Sequence, residues 1–395
     1  LLSEHRGDIR SILKDNHRLD LLYALSSQRE LLLEWYDFEP EAEVLQVGAD
    51  YGALTGLLRS SVSAVTVLDE TESALETVRQ RYPGAANIYY RKDSLAGYAA
   101  EACAEGKKYD YVIFAGTLTA PYEKHIHAAK SLLKPDGILI VALANALGMK
   151  YFAGTVEEEN ALTKRQLAEL LCGDKETQSM ADENGTLKFY YPMPDYKTPV
   201  SIYSDAYLPK KGDLTRVTPA YDYPPYHLME QGEKFDTVCE AGLFDLYANS
   251  YLVFWSADPK QLQKDDERIF IKYNKTRREE FQIKTCICER NVIGAAGASG
   301  AAGADATGNS AAGKKERYVE KAALSLDGSA HIASFKEKYE KLTKQHRTLK
   351  VAEPKFAEHR NSVFFPYLVG ETCAEKLGEQ LEGGQLPLDV LQIVM

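Results

Sequence analysis

The chain has 395 residues, 45% of them hydrophobic, enough for a packed core and a length that suggests two to three domains. Acidic residues outnumber Lys and Arg by 58 to 47, and the net charge of −11 argues against a nucleic-acid partner, because phosphate binding needs a basic face. No apolar run reaches the ~20 residues of a membrane span, and the six scattered cysteines lack metal-ligand spacing, so the expectation is a reduced, cytoplasmic protein with no metal site.

Residues 1–40 read as a helical lead-in. Residues 44–47 then form a short apolar strand that runs into a turn containing Gly48, Ala49, Asp50 and Gly52, followed by a helix start. Such a turn aims backbone N–H groups and a positive helix end at one point, where an anionic group can sit. The middle position, usually another glycine in nucleotide-binding turns, holds Asp50; a left-handed backbone there costs ~1 kcal/mol.

A second strand, 65–68, ends in Asp69 and Glu70, about twenty residues after the turn, where an acid can hydrogen-bond ribose hydroxyls. A third, 87–90, is followed by Asp93 and Ser94. A fourth, 109–116, ends in Ala115 and Gly116. The run Leu-Leu-Lys-Pro-Asp-Gly at 132–137 leads into a fifth, 138–143. Helices are expected near 53–60, 71–82, 97–105 and 121–133. Alternation with short connections predicts an α/β fold whose parallel sheet is covered on both faces, with the ligand crevice at the carboxyl ends of its strands. Residues 187–191 and 250–255 read as a sixth and a seventh strand, the last antiparallel.

In this order, the turn at 48–52, Asp69, Asp93 and the Leu-Leu-Lys-Pro-Asp-Gly entry resemble a class I S-adenosylmethionine (SAM) dependent methyltransferase, with its Rossmann-like seven-stranded sheet. The resemblance implies SAM as cofactor, held by Gln46, Gly48, Ala49, Asp50, Gly52, Asp69, Glu70, Asp93, Ser94, Ala115 and Gly116. The runs 25–36, 145–154, 189–197 and 203–205 are similar to a bacterial methyltransferase group associated with glycosyltransferases of surface-polysaccharide synthesis. That likeness implies a small-molecule or sugar-type hydroxyl acceptor, a glycan pathway, and a fused or associated glycosyltransferase. The chain departs from the group at Gln46, where an acid is usual, at Asp50, and at Ala144 and Ala146 beside Asn145. These departures motivate an alternative reading, a catalytically weakened binding or scaffold module of a larger protein. Nicotinamide-dependent redox chemistry is disfavoured because the turn lacks Gly-x-Gly-x-x-Gly.

Within the methyltransferase-like part, 41–257, residues 195–249 are rich in Tyr and Pro and read as a cap over the substrate. Substrate-contact candidates are Tyr191, Asp195, Tyr196 and Tyr203. Candidate general bases are His125, His127, Asp195 and His227. Residues 258–395 read as a smaller α+β accessory domain: strands at 267–273, 280–289 and 317–322, a flexible Ala/Gly loop at 294–313, a helix at 329–343 with Phe335, Tyr339 and Leu342 on one stripe, and a strand at 362–368. Its order, with Lys321 on a strand and Glu337 or Glu340 on the helix, weakly resembles the small lobe of a kinase.

Overall fold

The computed structural model describes residues 2, 4–5, 7–173, 185–215, 228–292, 314–346, 350–356, 361–370 and 373–384. The expected Ala/Gly loop at 294–313 and His227 lie outside the described residues.

The first five strands are β1 (Glu43–Val47), β2 (Ala64–Asp69), β3 (Ile88–Lys92), β4 (Tyr109–Ala115) and β5 (Leu133–Ala144), all parallel, in the order β3-β2-β1-β4-β5. Helices Thr55–Ser61, Glu72–Arg81, Leu95–Ala104 and Tyr122–Ser131 connect them. Adjacent residues of β1, β2, β4 and β5 enter different cores. Val44, Val65, Val67 and Ile113 join one apolar cluster, and Leu45, Leu68, Val112 and Phe114 join the other. Each fully buried aliphatic side chain contributes ~1.5–3 kcal/mol, so both faces must stay covered.

Four more strands follow: β6 (Thr186–Met193), β7 (Ser201–Ser204), β8 (Ser250–Ser256) and β9 (Asp266–Asn274). Strand β8 inserts antiparallel between β5 and β6, while β7 pairs with both β6 and β9. The last four are β10 (Ile283–Val292), β11 (Lys314–Ala323), β12 (Lys355–Phe356) and β13 (Ser362–Pro366).

The expectation of a seven-stranded sheet is corrected here. One sheet of thirteen strands runs β12-β13-β11-β10-β9-β7-β6-β8-β5-β4-β1-β2-β3. Its continuity rests on β7, which comes from the segment expected to form a cap; all four of its residues are buried. Helix Ser329–Gln345 packs on the far strands through Ile332, beside Ile283 and Val363, with Phe335 partly buried. Leu342, expected on the packed stripe, is exposed. The kinase-like arrangement is not shown: Lys321 donates to Thr285 Oγ1 at 3.1 Å, and Glu337 pairs with Lys341 at 2.7 Å.

No helix among the described residues is long and apolar enough to cross a membrane. No group of three or more His, Cys, Asp or Glu among them is placed to hold a metal ion.

Candidate functional site

Strand order reverses between β1 and β4, and ligands of open α/β sheets bind at such a switch point, outside the carboxyl ends of the strands. A cleft of about 240 Å³ opens there, lined by Val47, Gly48, Leu68, Asp69, Glu70, Asp93, Leu95, Phe114, Thr117, Thr119 and His125. Of the residues expected to hold a cofactor, Gly48, Asp69, Glu70 and Asp93 line it.

The turn after β1 is held by side chains. Gly48 has φ +84°, and a Cβ there would stand 2.5 Å from Thr117 Cγ2. Asp50 (φ 39°) and Tyr51 (φ 52°) both take left-handed backbone, at ~1–2 kcal/mol each. Gln46, almost fully buried, secures the bend: its amide nitrogen donates to Gly48 O at 3.1 Å and Ala49 O at 3.3 Å, and its oxygen accepts from Thr55 at 2.8 Å. A carboxylate could not make those two donations. Gln46 therefore anchors the turn from within and does not line the cleft. Arg81 adds a bond of 2.8 Å to Tyr51 O.

Asp69 Oδ2 accepts from Ala49 N at 2.9 Å, while Oδ1 accepts from the Thr71 amide and hydroxyl at 2.8 and 2.7 Å. A carboxylate has about four lone-pair sites, so Oδ2 keeps one for a ligand hydroxyl. Asp93 Oδ1 accepts from Ser94 N at 2.7 Å. Gly97 leaves room for it, since a Cβ there would stand 2.5 Å from that oxygen. Ser94 caps the helix Leu95–Ala104 by accepting from Gly97 N, so its hydroxyl serves the helix.

His125 lies on the helix Tyr122–Ser131 and lines the cleft. Its Nδ1 is 2.8 Å from Thr119 O. A carbonyl only accepts, so Nδ1 carries the proton and, in the neutral ring, Nε2 is the basic nitrogen. His127 is exposed on the same helix and does not line the cleft.

Beyond the turn, the ends of β4, β5 and β6 meet in a buried polar cluster. Lys150, fully buried, lies 2.7 Å from Glu158 Oε1 and 2.6 Å from Asp195 Oδ2. Lys197 lies 3.0 Å from Glu158, and Tyr196 OH donates to Glu158 Oε2 at 3.1 Å. Burial raises the Glu158 carboxyl, but Lys150 and Lys197 outweigh it and hold it down at about 2. Burial likewise pulls the Lys150 ammonium down, and Asp195 and Glu158 reverse this, keeping it well above its usual range. Arg29 bridges the cluster to the turn: it is 2.7 Å from Asp50 Oδ2, donates to Ala115 O at 3.4 Å, and sits 4.9 Å from the Tyr196 ring centroid.

Ala115 and Gly116 lie under this cluster rather than in the cleft; Tyr196 covers Gly116, whose Cβ would stand 2.7 Å from the ring. Gly52, at φ +77°, packs on Tyr82 behind the turn. Tyr191 and Tyr203 are buried in the core, packed against Phe244, and do not line this cleft. Asn145 is buried and bonds Leu246 O and Ala248 O at 2.8 and 2.7 Å, tying the end of β5 to the loop before β8.

Arg29, Thr117, Lys150 and Glu158 were not singled out in the sequence. Arg29 and Asp50 are 21 positions apart and meet only through tertiary folding. Lys150 carries one signal, a lysine inside the quoted run 145–154.

No protein-family model matches the chain, and no curated protein matches it. Several solved structures are similar to parts of it. Phosphoethanolamine N-methyltransferase 1 of Haemonchus contortus, in complex with phosphoethanolamine and S-adenosylhomocysteine, is 13% identical, with 65% of this chain and 50% of that chain covered and a TM-score of 0.36. A SAM-dependent methyltransferase of Streptococcus mutans, assigned as such without characterisation, is 12% identical over 57% of this chain and 47% of that chain, with a TM-score of 0.33. The N-methyltransferase NodS of Bradyrhizobium japonicum, in complex with S-adenosylhomocysteine, is 18% identical over 29% of this chain and 59% of that chain, with a TM-score of 0.25. The chain thus spans about half the length of these proteins.

Proposed function

We propose that the chain is a class I SAM-dependent methyltransferase acting on a small-molecule hydroxyl, of sugar type, in glycan synthesis. The observation that carries the reading is the convergence of the Gly48 turn, Asp69 and Asp93 on one cleft at the switch point. The lining carries three carboxylates, from Asp69, Glu70 and Asp93, and neither Lys nor Arg. Such a wall favours a cationic nucleoside and disfavours a pyrophosphate, which argues for SAM over a dinucleotide. Asp69 Oδ2 takes a ribose hydroxyl, Asp93 takes the adenine amine, and Gly48 lets the ligand approach the backbone.

When bound, SAM supplies a methyl group on a positively charged sulfur. The chain's own contribution to transfer is alignment, together with His125 Nε2, which takes the acceptor hydroxyl's proton. The resemblance of 25–36 and 145–154 to a glycosyltransferase-associated group supports the acceptor class and a cytoplasmic setting.

The nucleoside half of SAM fits the cleft. The amino-acid half would enter where Thr117 presses on Gly48 and Arg29 pairs with Asp50, so transfer needs that pair to open.

Calorimetric titration with S-adenosylhomocysteine and with 5′-methylthioadenosine tests the reading. At least one adenosyl compound should bind, and Asp69→Ala should weaken it by ~10-fold or more, about 1.4 kcal/mol. Absence of binding by either compound at millimolar concentration refutes the methyltransferase reading. Unchanged affinity in Asp69→Ala refutes the ribose role.

A further inference from the structure

The crevice between β1 and β4 is bridged from both strands. Thr117, just past β4, donates its hydroxyl to Val47 O at the end of β1 and presses on Gly48. Arg29 spans from Asp50, just past β1, to Ala115 O at the end of β4. The Tyr196 ring, 4.9 Å from the Arg29 guanidinium, lies on Gly116 and is anchored through its hydroxyl to Glu158. Across the strand order β3-β2-β1-β4, a nucleoside seated between Asp93 and Asp69 would reach Gly48 next, and a longer ligand would continue toward the end of β4, where Thr117 lines the cleft and Arg29 and Tyr196 stand behind it.

Two members of the bridge are satisfied through their hydroxyls, and the third, Arg29, is not. Arg29 is 5% exposed, yet its Nε and Nη1 are buried without a hydrogen-bond partner. The closed arrangement is thus held by the Asp50 ion pair, one long bond to Ala115 O and the Tyr196 ring, with Nε and Nη1 left free to take a ligand's acceptor once that pair opens.

We infer that Arg29, Tyr196 and Thr117 form a gate that makes the cleft selective for the nucleoside moiety alone, and that an amino-acid-bearing nucleoside enters only when Arg29 parts from Asp50. Arg29 is thus a specificity-determining residue that acts by occupying the methionine half of the site. The inference rests on the SAM reading above and deepens it. It also gives Asp50 a purpose: it holds the gate's cation shut in place of the glycine usual at that position.

The test compares the dissociation constants of 5′-methylthioadenosine and S-adenosylhomocysteine, which differ by the amino-acid end, for the full chain. The wild-type protein should bind methylthioadenosine more tightly. Arg29→Ala and, separately, Tyr196→Ala should shift the ratio toward S-adenosylhomocysteine by ~10-fold or more. Retained methylthioadenosine binding reports that each variant is folded. Wild-type protein that binds S-adenosylhomocysteine as tightly or more tightly overturns the gate while leaving the methyltransferase reading intact. A ratio unchanged in both variants overturns the role of Arg29 and Tyr196. Failure of both ligands to bind overturns the reading beneath it.

Discussion

Restoring the acid that the methyltransferase group usually carries at position 46 should harm this chain. Gln46 is 3% exposed and donates to Gly48 O and Ala49 O. In Gln46→Glu both donors vanish, at ~1 kcal/mol each, and Gly48 O is left without its partner. The new carboxylate then faces two carbonyl oxygens in a buried site, adding ~1–2 kcal/mol. The expected loss is ~3–4 kcal/mol at pH 8. A protonated glutamic acid regains one donor, so the loss should shrink to ~2 kcal/mol at pH 5. The sign follows from linkage: burial raises the folded-state pKa of this acid above the unfolded ~4.3, so stability falls as pH rises through that interval. Urea unfolding of the full chain at pH 8 and pH 5 reads both numbers, with Gln46→Met as a control whose loss is the same at each pH. Wild-type stability for Gln46→Glu at pH 8, or a loss that does not grow with pH, refutes the argument that Gln46 works as a donor.

Gly48→Ala places a Cβ 2.5 Å from Thr117 Cγ2 and 2.6 Å from its Cβ at φ +84°, so it should abolish adenosyl-ligand binding; adding Thr117→Ser should not restore it, because the clashing Cβ remains, and calorimetry checks both. Lys150→Met strands the Glu158 and Asp195 carboxylates in a buried cluster and should cost ~3–5 kcal/mol, read by thermal or urea unfolding. Glu158 is held at about 2 against an ordinary 4.5. Its contribution to stability is therefore present above pH ~4.5 and lost as pH falls toward 2, ~3 kcal/mol in wild type and largely absent in Glu158→Gln.

The parts legible in the sequence are those where local pattern and tertiary environment agree. The strands β1, β2, β4 and β5 are runs of mostly buried apolar residues, and their alternation with helices sets the parallel pairing. Asp69 and Asp93 stand at strand ends, where spacing alone puts them near the turn. Strand β7 was hidden because Ser201–Ser204 is four residues long, sits just after Pro199, and gains strand character only from its neighbours β6 and β9. With β7 in place, the strands of the segment expected as a small α+β domain lie in the same sheet as β1 to β8. Gln46 looked like a motif defect because a sequence shows the missing charge and not the two carbonyls it serves. Arg29 was visible only as one residue of a lead-in helix; its meaning comes from Asp50, Ala115 and Tyr196, which three separate elements deliver.

The lead-in segment and the far strands hold each other. Glu34 pairs with Lys284 at 3.0 Å, Asp37 with Arg268 at 2.7 Å, and Lys264 sits 4.4 Å from the Tyr36 ring centroid. Arg29 lies only five positions before Glu34 on that same stretch of chain. Removing the residues after 257 would leave Glu34 and Asp37 without these counterions and slacken the segment that presents Arg29 to the turn at Asp50. The tail of the protein thus works as ballast for the site at its head.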